Sequence, residues 1–330
     1  MSGLRALLPR GQFASALVHA GVIVLAAFVV LVLQGAGVIS VFASTLAADC
    51  AMYALALMGL SVLYGWTGQL SLGHAAFIGI GAYTAALIGP HTGSLPTPFL
   101  VDLIVVVVVG ALAGLIVGLP SIRISGIQLV VVTLGFAEVF QWALNNFDGI
   151  SGGTQGLLMD HTTILGLDLS VSQQRLLATA LVAAAGGVVV TLFARTTVAR
   201  SMTAVRESEQ AAASIGINPG TPKLIAFVVS AVFAAVSGLL FAYGNLIVIP
   251  GTFALFDNVF LLVAIIVGGR HTMLGVWLGA AFLVVVPEAS REMANGALYP
   301  VVAGVILIVV MIFAPRGLAS LWRRGERSTS

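Results

Sequence analysis

Two carboxylates, Asp49 and Glu138, lie inside long apolar stretches of this chain. An acid held at membrane depth is costly, and is a functional candidate by default. Proton relay is the specific chemistry such groups could perform. The plain alternative is a neutral or hydrogen-bonded carboxyl near a helix end. Neither acid has an Arg or Lys within its own apolar stretch. Gln141, Trp142 and Asn145 share a helical face with Glu138 by three- and four-residue spacing. That face is a polar stripe suited to protein or water. A second polar group is Gln69, Ser71 and His74, set among Gly73, Gly79, Gly81 and Gly89. Polar side chains at this depth tend to face a bundle interior or a water path. The alternative is packing, with His74 bonded to a neighbouring helix. The glycines allow close helix approach and also permit broken helices.

Other chemistries are missing. No H-E-x-x-H, G-x-S-x-G or paired His/Cys ligand spacing is present, and the five His are scattered. One cysteine, Cys50, excludes an internal disulfide and a cysteine-based metal cluster. A phosphate-binding loop needs G-x-x-x-x-G-K-[ST], yet the only Lys is Lys223, preceded by Pro222. The reading is therefore not an enzyme, with no cofactor and no metal. If ATP drives this protein, another polypeptide must bind it. A net charge of +2 with thinly spread Arg leaves no basic patch for nucleic acid.

The elements that must position these residues follow from composition. The chain has 330 residues, 59% hydrophobic and 8% charged, against about 25% charged in a soluble domain. Too few polar groups exist to cover a water-exposed surface, so the bilayer is the solvent. Spanning helices need about 20 apolar residues. Segments 14–33, 38–62, 69–89, 99–119, 127–145, 176–194, 224–247, 255–269, 273–287 and 298–314 qualify, the eighth and ninth being short. Those two are tilted, half-spanning, or a tight hairpin around Gly268, Gly269 and Arg270. The fold class is an all-α membrane protein, a polytopic bundle of about ten helices (eight to ten). The first span is longer than a signal-peptide core and lacks a small-residue cleavage site, so it is expected to be retained. With both termini cytoplasmic, alternate loops place all Arg and Lys inside except Arg175 and Arg291, as cytoplasmic loops require.

Two hydrophilic loops stand out. The external loop, 146–175, carries Asp148, Asp160 and Asp168. The cytoplasmic loop, 195–223, is rich in helix formers. It predicts one short helix, capped by Ser201 or Thr203 and stopped by Gly216 with Pro219 beyond. One side offers Ala204, Ala211 and Ala212, and the other Arg206, Glu207 and Glu209. Such a helix suits docking, or is simply a solvated connector.

Four stretches resemble the LivM-type permease family of high-affinity branched-chain amino-acid ABC importers. Gly68 to Tyr83 is similar to the family's G-Q-x-S-L-G-H-A-A-F-x-G-I-G-A-Y signature. Gly126-Ile127 through Thr133-Leu134-Gly135-Phe136-Ala137-Glu138 is the second, followed by Asn145-Asn146 and Gly152-Gly153-Thr154-Gln155-Gly156-Leu157. The third is Arg206 to Asn218 with Lys223-Leu224, and the fourth Pro315-Arg316-Gly317-Leu318. The third also resembles the E-A-A-x-x-x-G loop of importer permeases, with Ala211, Ala212 and Gly216 in place and the acid shifted to Glu209.

The resemblance implies one transmembrane domain over 1–330. It implies ATPase coupling by Arg206, Glu207, Glu209, Ala211, Ala212 and Gly216, through a helix seated in a groove of the ATPase. It makes Gln69, Ser71, His74, Thr133 and Glu138 candidates for the translocation path. Its implied partners are ABC ATPase subunits, a second related permease, a periplasmic or lipid-anchored substrate-binding protein, and the lipid bilayer of the inner or plasma membrane. The implied mechanism is alternating access. Substrate choice would rest largely with the binding protein, leaving branched-chain amino acids or urea and short amides as cargo. A proton-coupled carrier using Asp49 or Glu138, and a non-transport scaffold, are the rival classes.

Overall fold

The computed structural model describes residues 10–35, 40–89, 99–159, 163–164, 167–168, 171–269, 272–294, 299–313 and 318. Arg5, Asp160, Arg270 and Pro315–Gly317 lie outside the described residues. The described helices, in order, are α1 (Arg10–Gly35), α2 (Val41–Leu60), α3 (His74–Ile88), α4 (Phe99–Gly118), α5 (Ile127–Asn146), α6 (Asp148–Ser151), α7 (Ser172–Phe193), α8 (Thr197–Glu207), α9 (Glu209–Ser214), α10 (Gly220–Asn245), α11 (Leu255–Gly268), α12 (Met273–Ala294) and α13 (Tyr299–Phe313). All but α6, α8 and α9 occupy the ten expected apolar segments. The chain is a polytopic helical membrane protein.

Among the described residues, five helices are long and apolar enough to cross a bilayer. They are α2 with a π-helical turn (Val41–Trp66), α4 with a 3-10 turn (Phe99–Ile122), α5, α7 and α10. Helices α3 and α11 are among the shorter ones. The segment 69–89 is helical only from His74, because the chain leaves α2 through Gly68 at φ +73° and stays non-helical to Gly73. The 15 residues of α3 and the 14 of α11 rise about 21–22 Å, short of a hydrocarbon core of about 30 Å. Their N-termini meet inside the bundle, where Asn258 Oδ1 of α11 accepts the Ala75 amide of α3 at 2.7 Å. Conversely, α12 does not stop at Pro287 but continues through it to Ala294. A proline removes one helical donor, a loss that neighbouring helices and local adjustment absorb in membrane bundles.

Hydrocarbon supplies no hydrophobic force between helices, so packing depends on close contact of small residues. The centre of the bundle is α10, packed on α2, α3 and α4. A Cβ on Gly81 would stand 1.9 Å from the Ala235 carbonyl oxygen, and one on Gly238 1.9 Å from that of Ile78. The α3 and α10 backbones therefore touch. On α4, Gly110, Gly114 and Gly118, spaced four residues apart, form a ridge against Ala235, Ala231 and Phe227.

The two ends of the bundle are defined by contacts. At one, which carries α8 and α9, Trp66 stacks on Phe193 with ring centroids 5.8 Å apart, and Ile122 lies beside Gly220. At the far end, Leu157–Leu158 pair antiparallel with Ile247–Val248. There Tyr83 donates its hydroxyl to the Val248 carbonyl.

Candidate functional site

The loop between α7 and α10 folds as two helices rather than the one expected. Ser208 is extended (φ −161°, ψ 117°) and separates α8 from α9. The caps differ from expectation as well. Thr196 Oγ1 accepts the Ala199 amide and Ser208 Oγ accepts that of Ala211. Ser201 and Thr203 instead donate back to carbonyls within α8. Gly216 sits at φ +86°, a left-handed stop.

The buried stripe Ala199, Met202 and Val205 seats α8 on the bundle. Arg206 Nη1 donates to the Gly65 carbonyl at 2.6 Å. Gly65 belongs to the π-helical turn Ser61–Trp66 that ends α2. The Arg206 side chain also lies against Gly68, where an added Cβ would come within 3.2 Å of its Cγ. Glu209 pairs with Lys223 of α10 at 2.6 Å. Ala212 is buried against its own chain and so is not part of an outward docking face. Glu207, Gln210, Ala211, Ala213, Ser214 and Ile215 remain exposed, Ile215 at 73%.

From this loop the contacts lead to the break before α3. Gln69 is buried, and its side-chain nitrogen and oxygen have no hydrogen-bond partner among the described residues. Ser71 Oγ accepts the Gly73 amide at 3.2 Å. Thr133 Oγ1 accepts the Leu72 amide at 3.0 Å and donates to the Val130 carbonyl. His74 is fully buried and contacts the Ala56 carbonyl through Nε2 at 2.9 Å. A carbonyl can only accept, so Nε2 carries the proton and Nδ1 is left to accept the Ser230 hydroxyl, 3.5 Å away. Ser71, His74 and Thr133 thus hold one knot, where α2, α3, α5, α10 and α11 converge, and Gln69 lies buried in the same non-helical link.

The intramembrane acids separate. Asp49 pairs with Arg175 of α7 at 2.5 Å, and Arg175 also donates to the Gly244 carbonyl. Tyr243 donates to Asp102, which is fully buried. Asp257 accepts the Ala254 amide at the start of α11. Glu138 lies apart from all of these, exposed on the outer side of α5. The groove lined by Asp49, Asp257, Glu288, Phe253 and Phe260 near the far end encloses about 350 Å³. Among the described residues, no group of three potential ligands could hold a metal ion.

A family model described as the permease component of the branched-chain amino acid transport system matches residues 42–313. The chain belongs to that permease family. The high-affinity branched-chain amino acid transport system permease protein LivM of Salmonella typhimurium is 33% identical over 297 residues, covering 82% of this chain and 68% of the relative. LivM of Escherichia coli is 32% identical over the same shares. No solved structure matches the chain. As a family permease, the chain is a membrane transport subunit rather than an enzyme.

Three residues of this permease's site escape a reading of the sequence. Asn258 follows Asp257 at the head of an apolar run, where it reads as helix-start polarity, and its partner is 183 positions away. Arg175 belongs by sequence to the external loop, yet its guanidinium turns inward to Asp49. Ser208 did carry a signal, since Ser is a preferred N-cap, but Glu207 and Glu209 on either side read as uninterrupted helix.

Proposed function

We propose that this chain is the membrane subunit of an ATP-driven importer of branched-chain amino acids. Residues 1–330 act as one transmembrane domain with both termini cytoplasmic. A second, related permease completes the path, separate ATPase subunits bind beneath, and a substrate-binding protein delivers cargo from outside. The observation that carries this reading is the attachment of α8 and α9. One side is fixed to Gly65 and Lys223, while the outer rim with Glu207, Gln210, Ala211 and Ile215 is left exposed. A connector needs no such anchoring, whereas a coupling element needs both halves.

The geometry supports a route for the stroke. Movement of the ATPases displaces α8 and α9 as a unit. Arg206 passes that displacement to the π-helical turn of α2 and to Gly68. The non-helical link 68–73 then shifts α3, whose N-terminus is tied to α11 through Asn258. Broken helices meeting within the bilayer are the parts that transporters use to switch access from one side to the other. Gln69, Ser71, His74 and Thr133 hold or line this junction. The roles assigned to the relatives by name support branched-chain amino acids as cargo.

The test is uptake of radiolabelled leucine and urea by cells lacking the gene and by cells complemented with it. Leucine uptake should be lost and restored. Urea uptake restored instead would keep the coupling mechanism and change the cargo. Restoration of neither would overturn the substrate assignment.

A further inference from the structure

The groove near the far end of the bundle has a lining of uneven chemistry. It reaches Ala75, the residue whose amide Asn258 holds, so it leads from the far end to the junction of α3 and α11. Its carboxyl groups come from three helices: Asp49 from α2, Asp257 from α11 and Glu288 from α12. None of the described lining residues is Lys, Arg or His. Arg175, which pairs with Asp49, is not among them. The backbone of α12 adds a further acceptor. A proline has no amide hydrogen, so the Leu283 carbonyl, one turn before Pro287, loses its ordinary helical donor. Leu283 and Pro287 both line the groove. The other polar side chains there, Tyr53 and Thr252, are hydroxyls, which serve as donor or acceptor.

A wall of carboxyls and a freed carbonyl calls for donors and for positive charge. Acids at membrane depth are costly unless they face a polar partner or a water-filled cavity. A bare metal ion fits poorly, because no three potential ligands converge among the described residues. A primary ammonium fits well. It carries one positive charge and three donors, with no acceptor to clash with the acids. The rest of the lining suits what such a group would be attached to. Phe241 and Phe253 pack edge to face with centroids 5.7 Å apart, and Phe260 lies beside them in the lining. Aromatic faces attract cations. Ile78, Leu261 and Val284 offer an aliphatic surface. The enclosed volume of about 350 Å³ lies at the small end of ligand pockets, which run from roughly 300 to 1,000 Å³. It admits a single small molecule rather than a peptide.

We propose that this groove binds the primary ammonium of an aliphatic amino acid. Asp257, Glu288 and the Leu283 carbonyl receive the ammonium, and the aromatic and aliphatic wall holds the side chain. The ligand's own carboxylate is kept towards the mouth by repulsion from the acids. The proposal rests on the importer reading for the identity of the cargo, whereas the preference for an ammonium rests on the lining alone. Urea is neutral and gains no charge pairing from the acids. The groove therefore separates the two cargoes that the sequence left open.

The test is made on the complete complex in liposomes, with Cys50→Ala as background and a single thiol at Thr252→Cys in the groove. Asn245→Cys, exposed at the end of α10, is the control. Modification of this chain is followed by mass, with a trimethylammonium-ethyl and a sulfonato-ethyl methanethiosulfonate. The cationic-to-anionic rate ratio should be severalfold higher at 252 than at 245. Leucine and 3-methylbutylamine should slow modification at 252, and 4-methylpentanoate and urea should not. Asp257→Asn together with Glu288→Gln should bring the ratio down to that of the control and remove the protection. Equal ratios at the two thiols would overturn the proposal. So would protection by 4-methylpentanoate equal to that by leucine, or protection by sodium chloride but not choline chloride. The ligand series needs no acid variant, so it decides the matter even if the double variant fails to assemble. ATP-dependent leucine uptake is measured on the same Thr252→Cys complex. Uptake without protection removes the ammonium site and leaves the importer. Protection by 3-methylbutylamine without leucine uptake leaves the site and removes the cargo assignment.

Discussion

Gly216 allows the proposed coupling region to be perturbed by backbone conformation alone. It ends α9 at φ +86°, and a Cβ built there meets nothing within 4 Å. A substitution therefore adds no clash, and its whole effect is the cost of holding an L-residue in the left-handed region. That cost is about 1–2 kcal/mol for an ordinary residue, and lower for Asn, which visits this region more readily. At about 1.4 kcal/mol per factor of ten, the equilibrium for the observed loop end shifts by roughly 5- to 30-fold. β-Branched residues are the most strained at positive φ. Leucine uptake and ATPase co-purification should fall in the order Gly216, Gly216→Asn, Gly216→Ala, Gly216→Val. Membrane insertion and yield should be unchanged, because no packed atom is displaced. The refuting result is normal uptake and normal ATPase recovery with Gly216→Val. A loss in Asn equal to that in Val would also refute it, since the residue's backbone preference would then be irrelevant.

Other substitutions test neighbouring links. Gly81→Val places side-chain atoms against the Ala235 carbonyl, 1.9 Å from the first added carbon. It should abolish folded protein in a detergent-extraction assay, unlike any change at Gly216. Arg206→Ala removes a charged donor to the Gly65 carbonyl, worth about 1.5–3 kcal/mol. ATP hydrolysis should persist while uptake per ATP falls, with partial recovery in Arg206→Lys. Asp49→Asn leaves Arg175 without its acid in a largely buried position. Breaking a buried pair costs about 3–5 kcal/mol, so the detergent melting temperature should drop, and substituting Arg175 as well should cost little more. Glu138→Gln should keep uptake without changing its pH profile, because Glu138 is exposed and apart from the other intramembrane acids. Loss of a pH-dependent component would instead indicate proton relay.

The helical class of this permease was legible because lipid imposes one rule on every span, an apolar run of sufficient length. That rule fails where a run is interrupted without losing apolar character. Leu70 and Leu72 keep 69–89 apolar enough to read as one span, so the break between Gly68 and His74 showed only as Gln69, Ser71 and Gly73, which fit packing equally well. The segment 273–287 differs in the other direction, since the apolar run ends at Pro287 and α12 continues past it to Ala294. Within the loop 195–223, the left-handed stop at Gly216 was readable because only glycine commonly fits there. The faces of the helices were not readable. Ala212 turns inward because Met202 and Val205 fix how α8 lies on the bundle, and that is a property of the tertiary surface. The pairs Asp49–Arg175 and Ala75–Asn258 join positions 126 and 183 residues apart, distances over which local spacing carries no information.

The central claim is that ATP hydrolysis on a separate chain moves substrate through this one. The most direct measurement is leucine accumulation in proteoliposomes holding the complete complex, with ATP sealed inside and the binding protein outside. Accumulation should require internal ATP, survive a proton ionophore, and fall sharply with Gly216→Val. Accumulation driven by an imposed pH gradient, without ATP or the ATPase subunits, would contradict it.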